Sequence, residues 1–372
     1  MTALMPNRTI LSKRGQRGLA NLHVSDTLED VRDHLRHMAV AQEAEDHGRS
    51  FSQLMVTFED DCVRARVINN PDESWVVTKT AFAQMDANLL PRSGGNFLLE
   101  TTALSHPSAL KAATATWAMF AQEDEKPRMF RTARTRMPDG SIERILRAQV
   151  SQGYASYSNL QFVEDLLDNT NIGNLRMLDW RIEDDAMRFR VGAPNGRVEV
   201  GGMFPMFAFW NSETGKRRTS VKGGGFRASC LNGLGSMERK NEFAWRHYGD
   251  TDRISQGVGS AMTEISTSWN GTKEAYQRAS DIFIEDSFAF VDQMLDQSGA
   301  TKEAIESVKV RGMIDSTSHA SSSLAGVVDG ITLIAQDVHR DLFEMDLLEQ
   351  IAADALRRGL AMAEGERIRV NS

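Results

Sequence analysis

The spacing of apolar residues changes several times along the chain, and each change predicts an element. From Asp26 onward, Leu28, Val31, Leu35 and Met38 recur at helical intervals with Ser25 or Asp26 placed to cap, so TLEDVRDHLRHMAVAQEAEDH reads as a helix with one wet face. FSQLMVTFEDDCVRARVI alternates as strands do, and the run from Trp75 to Phe82 passes into a second helix that ends near the break at Pro91 to Gly95. Residues 108–122 predict another helix, closed by an acidic loop and Pro127. MFRTARTRM and ERILRAQVS read as two basic strands joined by Pro138-Asp139-Gly140, a hairpin turn sequence. After Tyr154 an amphipathic helix covers Leu160 to Leu167, and residues 175–215 supply three more strands with turns at 183–185 and 194–196. In the last third, residues 272–297 and 301–310 are helical by periodicity, and Gly326 to Ala363 holds long helical segments. The expected fold is α+β, a mostly antiparallel sheet core with flanking helices and a helical C-terminal region. Residues 1–24 are expected to form a basic flexible arm, 25–265 the core and 266–372 the helical region.

Composition sharpens this picture mainly through charge. The 372 residues are 41% apolar, enough for a large core, and carry a net charge of -8. That balance excludes a chain that coats nucleic acid by bulk charge. Between Lys126 and Arg253, however, 21 Lys and Arg stand against 15 Asp and Glu, so positive charge gathers in the middle. Two cysteines, Cys62 and Cys230, make no disulfide framework, and no apolar run is long enough for a signal peptide or a membrane span. The expectation is a cytoplasmic protein with no membrane partner.

Candidate chemistry concentrates in Asn211 to Gly233, NSETGKRRTSVKGGGFRASCLNG. Lys216, Arg217, Arg218, Lys222 and Arg227 lie beside glycine-rich backbone, a combination suited to an anion such as phosphate. The basic hairpin adds Arg131, Arg134, Arg136, Arg144 and Arg147, where even spacing on a strand sets cations on one face. Tyr154 and Tyr157 follow as candidates for stacking on unpaired bases. The competing reading of the hairpin is a solvated face balanced by acids such as Glu123, Asp124 and Glu125. Gly223 to Gly225 match neither a Walker A loop nor GxGxxG, so nucleotide hydrolysis has no motif behind it, and a bulge or turn between strands is the plainer reading. Cys230 with His247 suggests a thiol and base, but a small buried residue ending a strand fits Cys230 better. The histidines lack ligand spacing, and the carboxylate pairs Asp60-Asp61, Glu164-Asp165 and Asp184-Asp185 read as turn or helix-surface residues, so no metal and no cofactor is expected. Met203 to Trp210 reads as a central buried strand.

Several of these segments, in order, resemble a family of phage- and plasmid-borne proteins known as domain of unknown function 932. The residues are AQVSQGYASY at Ala148 to Tyr157, NSETG at Asn211 to Gly215, Phe226-Arg227, Cys230-x-Asn232-Gly233 and Arg246-His247, with Trp75 to Pro91 upstream. The resemblance spans roughly Asp26 to Arg253, and the insert Lys216 to Gly225 is more basic and glycine-rich than the family pattern. It implies a mobile element in a bacterial host and a role in DNA metabolism, recombination or counter-defence, with no established activity. Together with the charge pattern this leads to an expected non-enzymatic protein that grips single-stranded nucleic acid, DNA favoured, in a basic groove during annealing or recombination. The C-terminal helices are expected to support homo-oligomers. The alternatives are a protein-interaction factor of the mobile element, acting in counter-defence or plasmid establishment, and a virion or assembly component.

Overall fold

Val63, Ala65 and Val67 are buried while Arg64 and Arg66 between them are not, and this period of two makes Cys62–Val67 a strand with one core face. The computed structural model describes residues 9–11, 27–41, 44–59, 62–89, 107–136, 141–170, 172, 175–183, 185–192, 203–227, 232–235, 242–249, 251–296, 298, 300–312, 322–335 and 342–364. Its elements in chain order are β1 (Thr9–Leu11), α1 (Leu28–Ala41), β2 (Ala44–Arg49), β3 (Leu54–Glu59), β4 (Cys62–Val67), β5 (Asn70–Val77), α2 (Lys79–Leu89), α3 (Pro107–Ala121), β6 (Arg128–Arg136), β7 (Ile142–Val150) and α4 (Asn159–Asn169). They continue as β8 (Arg176–Glu183), β9 (Met187–Gly192), β10 (Met203–Asn211), β11 (Thr219–Arg227), β12 (Asn232–Gly235), β13 (Glu242–Trp245), α5 (Asp252–Ala279), α6 (Ser287–Asp296), α7 (Lys302–Ser307), α8 (Leu324–Ala335) and α9 (Leu342–Ala363).

The fold is α+β. A six-stranded sheet runs β2-β6-β7-β5-β4-β3, antiparallel except where β5 meets β7. A seven-stranded sheet runs β1-β8-β9-β10-β11-β12, with β13 also paired to β11. Among the described residues the largest apolar clusters are these. Phe51, Trp75, Phe82, Trp117 and Phe130 fill the space between the first sheet and helices α2 and α3. Phe162, Phe189, Phe209 and Val221 lie between the second sheet and helices α1, α4 and the first half of α5. The third core is wholly helical, running from Ala275 to Leu360. α5 links the last two, since Ile265 belongs to the sheet core and Ala275 to the helical one.

Local departures from the expected elements have physical causes. α1 is capped at Thr27, whose Oγ1 accepts from Asp30 N at 3.1 Å while its own N–H donates to Asp30 Oδ2 at 2.7 Å. Ala44 to His47, read with the helix, form with Gly48 and Arg49 a strand on β6, where the His47 ring lies 5.2 Å from that of Trp75. Thr9–Leu11 pair with β8, so this piece of the expected arm is sheet, and the rest of residues 1–24 lies outside the described residues. α5 begins at Asp252, well before the expected helix, through a stretch rich in Gly, Ser and Thr. Ile254, Val258, Ala261 and Ile265 bury one stripe of it on the second sheet, and that packing overrides weak propensity. The triple glycine is neither turn nor loop. Gly223 to Gly225 sit in β11 between β10 and β12, and a Cβ at Gly223 would fall 2.2 Å from Cγ2 of Ile265, so glycine there admits the helix.

Candidate nucleic-acid interface

The turn from Ser212 to Arg218, joining β10 to β11, is gripped from both sheets. Arg131 on β6 donates from Nη1 to the Glu213 carbonyl at 2.6 Å and closes a two-pronged pair with Asp46, 2.8 Å on each arm. Arg147 on β7 donates to Glu213 Oε2 at 2.9 Å, and the Asn159 N–H at the start of α4 donates to Oε1 at 2.7 Å. Burial alone would favour the neutral acid, yet Arg147 and that N–H hold the Glu213 carboxyl below its usual range. Gln84 on α2 donates to the Thr214 carbonyl at 2.9 Å, and Gly215 takes the positive φ of 73° that closes the turn. Glu213 is thus the clasp between the two halves of the fold.

Beside it runs a buried chain of hydrogen bonds. Tyr154 Oη lies 2.9 Å from His247 Nδ1 and 2.8 Å from the Ser212 carbonyl, while His247 Nε2 lies 2.6 Å from Thr219 Oγ1, itself 2.7 Å from Asn211 Oδ1. Burial, reinforced by the charge of Arg131, pushes the His247 pKa down to about 4, and burial pushes the Tyr154 hydroxyl up. Neither group is poised for proton transfer near neutral pH. Between pH 6.5 and 4 the unfolded chain binds the His247 proton that the folded chain refuses, so stability falls as pH falls through that window, by about 3 kcal/mol at the limit. His34 and His47 are lowered as well and share the slope. Denaturant midpoints measured across this range are expected to vary less steeply in His247→Gln, and an unchanged slope would contradict the assignment.

Most of the cations singled out in the sequence have partners inside the molecule. Arg131 and Arg147 hold the clasp, and Tyr157 is fully buried with its hydroxyl donating to Asp165 at 2.7 Å, so its ring does not face solvent. Arg144 meets Glu45 at 3.3 Å, and Arg134, at 3.8 Å from the same carboxylate, is the more exposed of the two. Lys216 reaches Asp185 at 2.6 Å while staying 42% exposed, and Arg218 is exposed. Arg217 and Lys222 both bind Asp346 of α9, at 2.7 and 2.8 Å. The side chains of Arg136 and Arg227 lie outside the described residues, as do Cys230 and the Pro138-Asp139-Gly140 turn. Among the described residues no group of three or more His, Cys, Asp or Glu is placed to hold a metal ion, and no helix is long and apolar enough to cross a membrane.

Comparison with protein-family models, curated proteins and solved structures finds no match for the chain.

One concentration of charge was not singled out from the sequence. Arg188 and Arg190 on β9 project to the same face of the second sheet as Trp210 and Ala208 on β10 and Ser220 and Lys222 on β11. Arg217, from the turn, lies with its guanidinium 3.8 Å above the Trp210 ring centroid. α9 covers this face. Glu349 accepts from Arg188 at 2.5 Å and from Arg190 at 2.9 Å, and Arg190 also pairs with Asp179. Even so, Arg188 Nε, Trp210 Nε1 and Ser220 Oγ are buried without a hydrogen-bond partner among the described residues. The three residues are direct cross-strand neighbours in one row. A buried donor left without an acceptor costs about 1–3 kcal/mol, so a row of three is expensive. MRFRVG carries the same alternate-arginine signal as the hairpin at Arg134 and Arg136, and the even-spacing argument applied there would have found Arg188 and Arg190.

Proposed function

We propose that this chain is a non-enzymatic nucleic-acid-binding protein that takes single-stranded DNA, in the annealing or recombination work of a phage or plasmid. The observation that carries the reading is the second sheet's face, where Arg188, Arg190, Arg217 and Lys222 surround the indole of Trp210. Cations at fixed spacing along strands track a phosphate backbone, and an aromatic plane among them offers a base a stacking partner. Lys216, Arg218 and Arg134 supply accessible positive charge for first encounter. Arg131, Arg147 and Tyr157 serve instead to build the scaffold. The setting in a mobile element rests on the family resemblance alone.

Fluorescence anisotropy of a labelled single-stranded oligonucleotide across a salt series tests the reading. Binding that weakens steeply with salt is expected, at about 0.7 in log affinity per log salt for each phosphate neutralised. Absence of binding at low salt, with the α9 carboxylates intact or neutralised, would overturn it. A protein partner would then become the leading reading, favoured by Phe283 and Phe288, which the helical region leaves 71% and 48% exposed.

A further inference from the structure

We infer that the strand-binding surface is the sheet face beneath α9, and that Asp346 and Glu349 occupy it as stand-ins for backbone phosphates until a strand displaces them. The inference rests on the nucleic-acid reading above and specifies where the strand sits and what must move. Each of the two carboxylates takes two cations, Arg188 and Arg190 for Glu349 and Arg217 and Lys222 for Asp346, as the paired free oxygens of a phosphodiester do. They sit three residues apart on one face of a helix, so the cover presents a short row of negative charge. Lift them away and the face keeps four cations, with Asp179 beside Arg190 and Glu242 beside Lys222.

The cover does not satisfy what it covers. Among the described residues Arg188 Nε, Trp210 Nε1 and Ser220 Oγ have no acceptor under it, whereas a phosphodiester strand brings sugar, phosphate and base oxygens. The Trp210 ring is fully buried beneath Arg217, and a guanidinium drawn onto a phosphate would uncover it for a base. The apolar anchorage is also slight. Leu342, Phe343 and Met345 pack with Ala186 and Trp210 in a small cluster, and Met345 Sδ also meets Arg181 Nη1 at 3.4 Å, while α9 from Leu348 onward belongs to the separate helical core. The start of α9 joins the sheet through that small cluster and through the ion pairs of Asp346 and Glu349, and salt and a competing polyanion both weaken the ion pairs.

Two measurements on the full chain test this. Asp346→Asn with Glu349→Gln keeps shape and an acceptor oxygen while removing the charge, and is expected to tighten binding of a labelled single-stranded oligonucleotide by tenfold or more at fixed salt. In the unmodified chain, hydrogen exchange at the amides of residues 342–349 is expected to speed up when the oligonucleotide is added. The second arm decides the matter if the double variant does not fold by circular dichroism. Equal affinity of the two chains, or a bound strand that leaves exchange in α9 unchanged, would overturn the displaced cover while leaving nucleic-acid binding intact. Failure of both chains to bind would overturn the underlying reading instead.

Discussion

Glu213→Ala is expected to lower the stability of the folded chain by about 3 kcal/mol, the lower end of the cost of removing one partner from a buried ion pair, because Arg147 and Glu213 stay 12% and 19% exposed. The loss has three sources. Arg147, 12% exposed, would be left as a charge without this carboxylate, the Asn159 N–H at the start of α4 would lose its acceptor, and the turn between β10 and β11 would lose its side-chain tie to the first sheet. Glu213→Gln retains an acceptor for the Asn159 N–H and should cost less. Chemical denaturation of both variants measures the difference, and a midpoint for Glu213→Ala within about 0.5 kcal/mol of the unmodified chain would contradict the clasp. The clasp also weakens in acid. Because the Glu213 carboxyl is held below its usual range when folded, its contribution is present at neutral pH and is lost as pH falls through the folded value.

Arg217→Ala with Lys222→Ala is expected to weaken binding of a single strand by tenfold or more. Both cations sit on the face proposed to hold the strand, and Arg217 lies over the indole proposed to receive a base. Two lost phosphate contacts should also flatten the salt dependence by about 1.4 in log affinity per log salt. The change leaves Asp346, which is 6% exposed, with fewer cations, so its carboxyl is expected to rise from the lowered position that Lys222 and Arg217 now hold against burial. Part of any stability loss comes from there, and folding is checked by circular dichroism before binding is compared.

Much of the fold was legible because period and turn chemistry agree. The hairpin of β6 and β7, the helices α2 to α4 and the strands β8 to β10 follow from spacing together with turn and breaker residues. The failures share a cause, which is packing by distant partners. Nothing local makes Gly223 to Gly225 a strand, but β10 and β12 on either side and Ile265 above it do. Within Asp252 to Gly271 the helical spacing of Ile254, Val258, Ala261 and Ile265 is diluted by Gly, Ser and Thr of weak propensity, and the sheet beneath that stripe makes the segment a helix. At the site, the cations of Lys216 to Lys222 were visible as a cluster. Asp346, the carboxylate that binds Arg217 and Lys222, lies more than a hundred residues away, and no sequence signal joins it to them. The arginines of the hairpin looked equivalent in sequence, yet Arg131 and Arg147 are spent on the clasp while Arg134 remains accessible.

The central claim is that a nucleic-acid strand is held by the sheet face bearing Arg217 and Lys222. Its most direct test is the affinity for a labelled single-stranded oligonucleotide as a function of salt, measured side by side for the unmodified chain and for Arg217→Ala with Lys222→Ala. Two lines are expected, the variant's weaker by tenfold or more and shallower in slope by about 1.4. Coincident lines, or no binding by either chain, would contradict it.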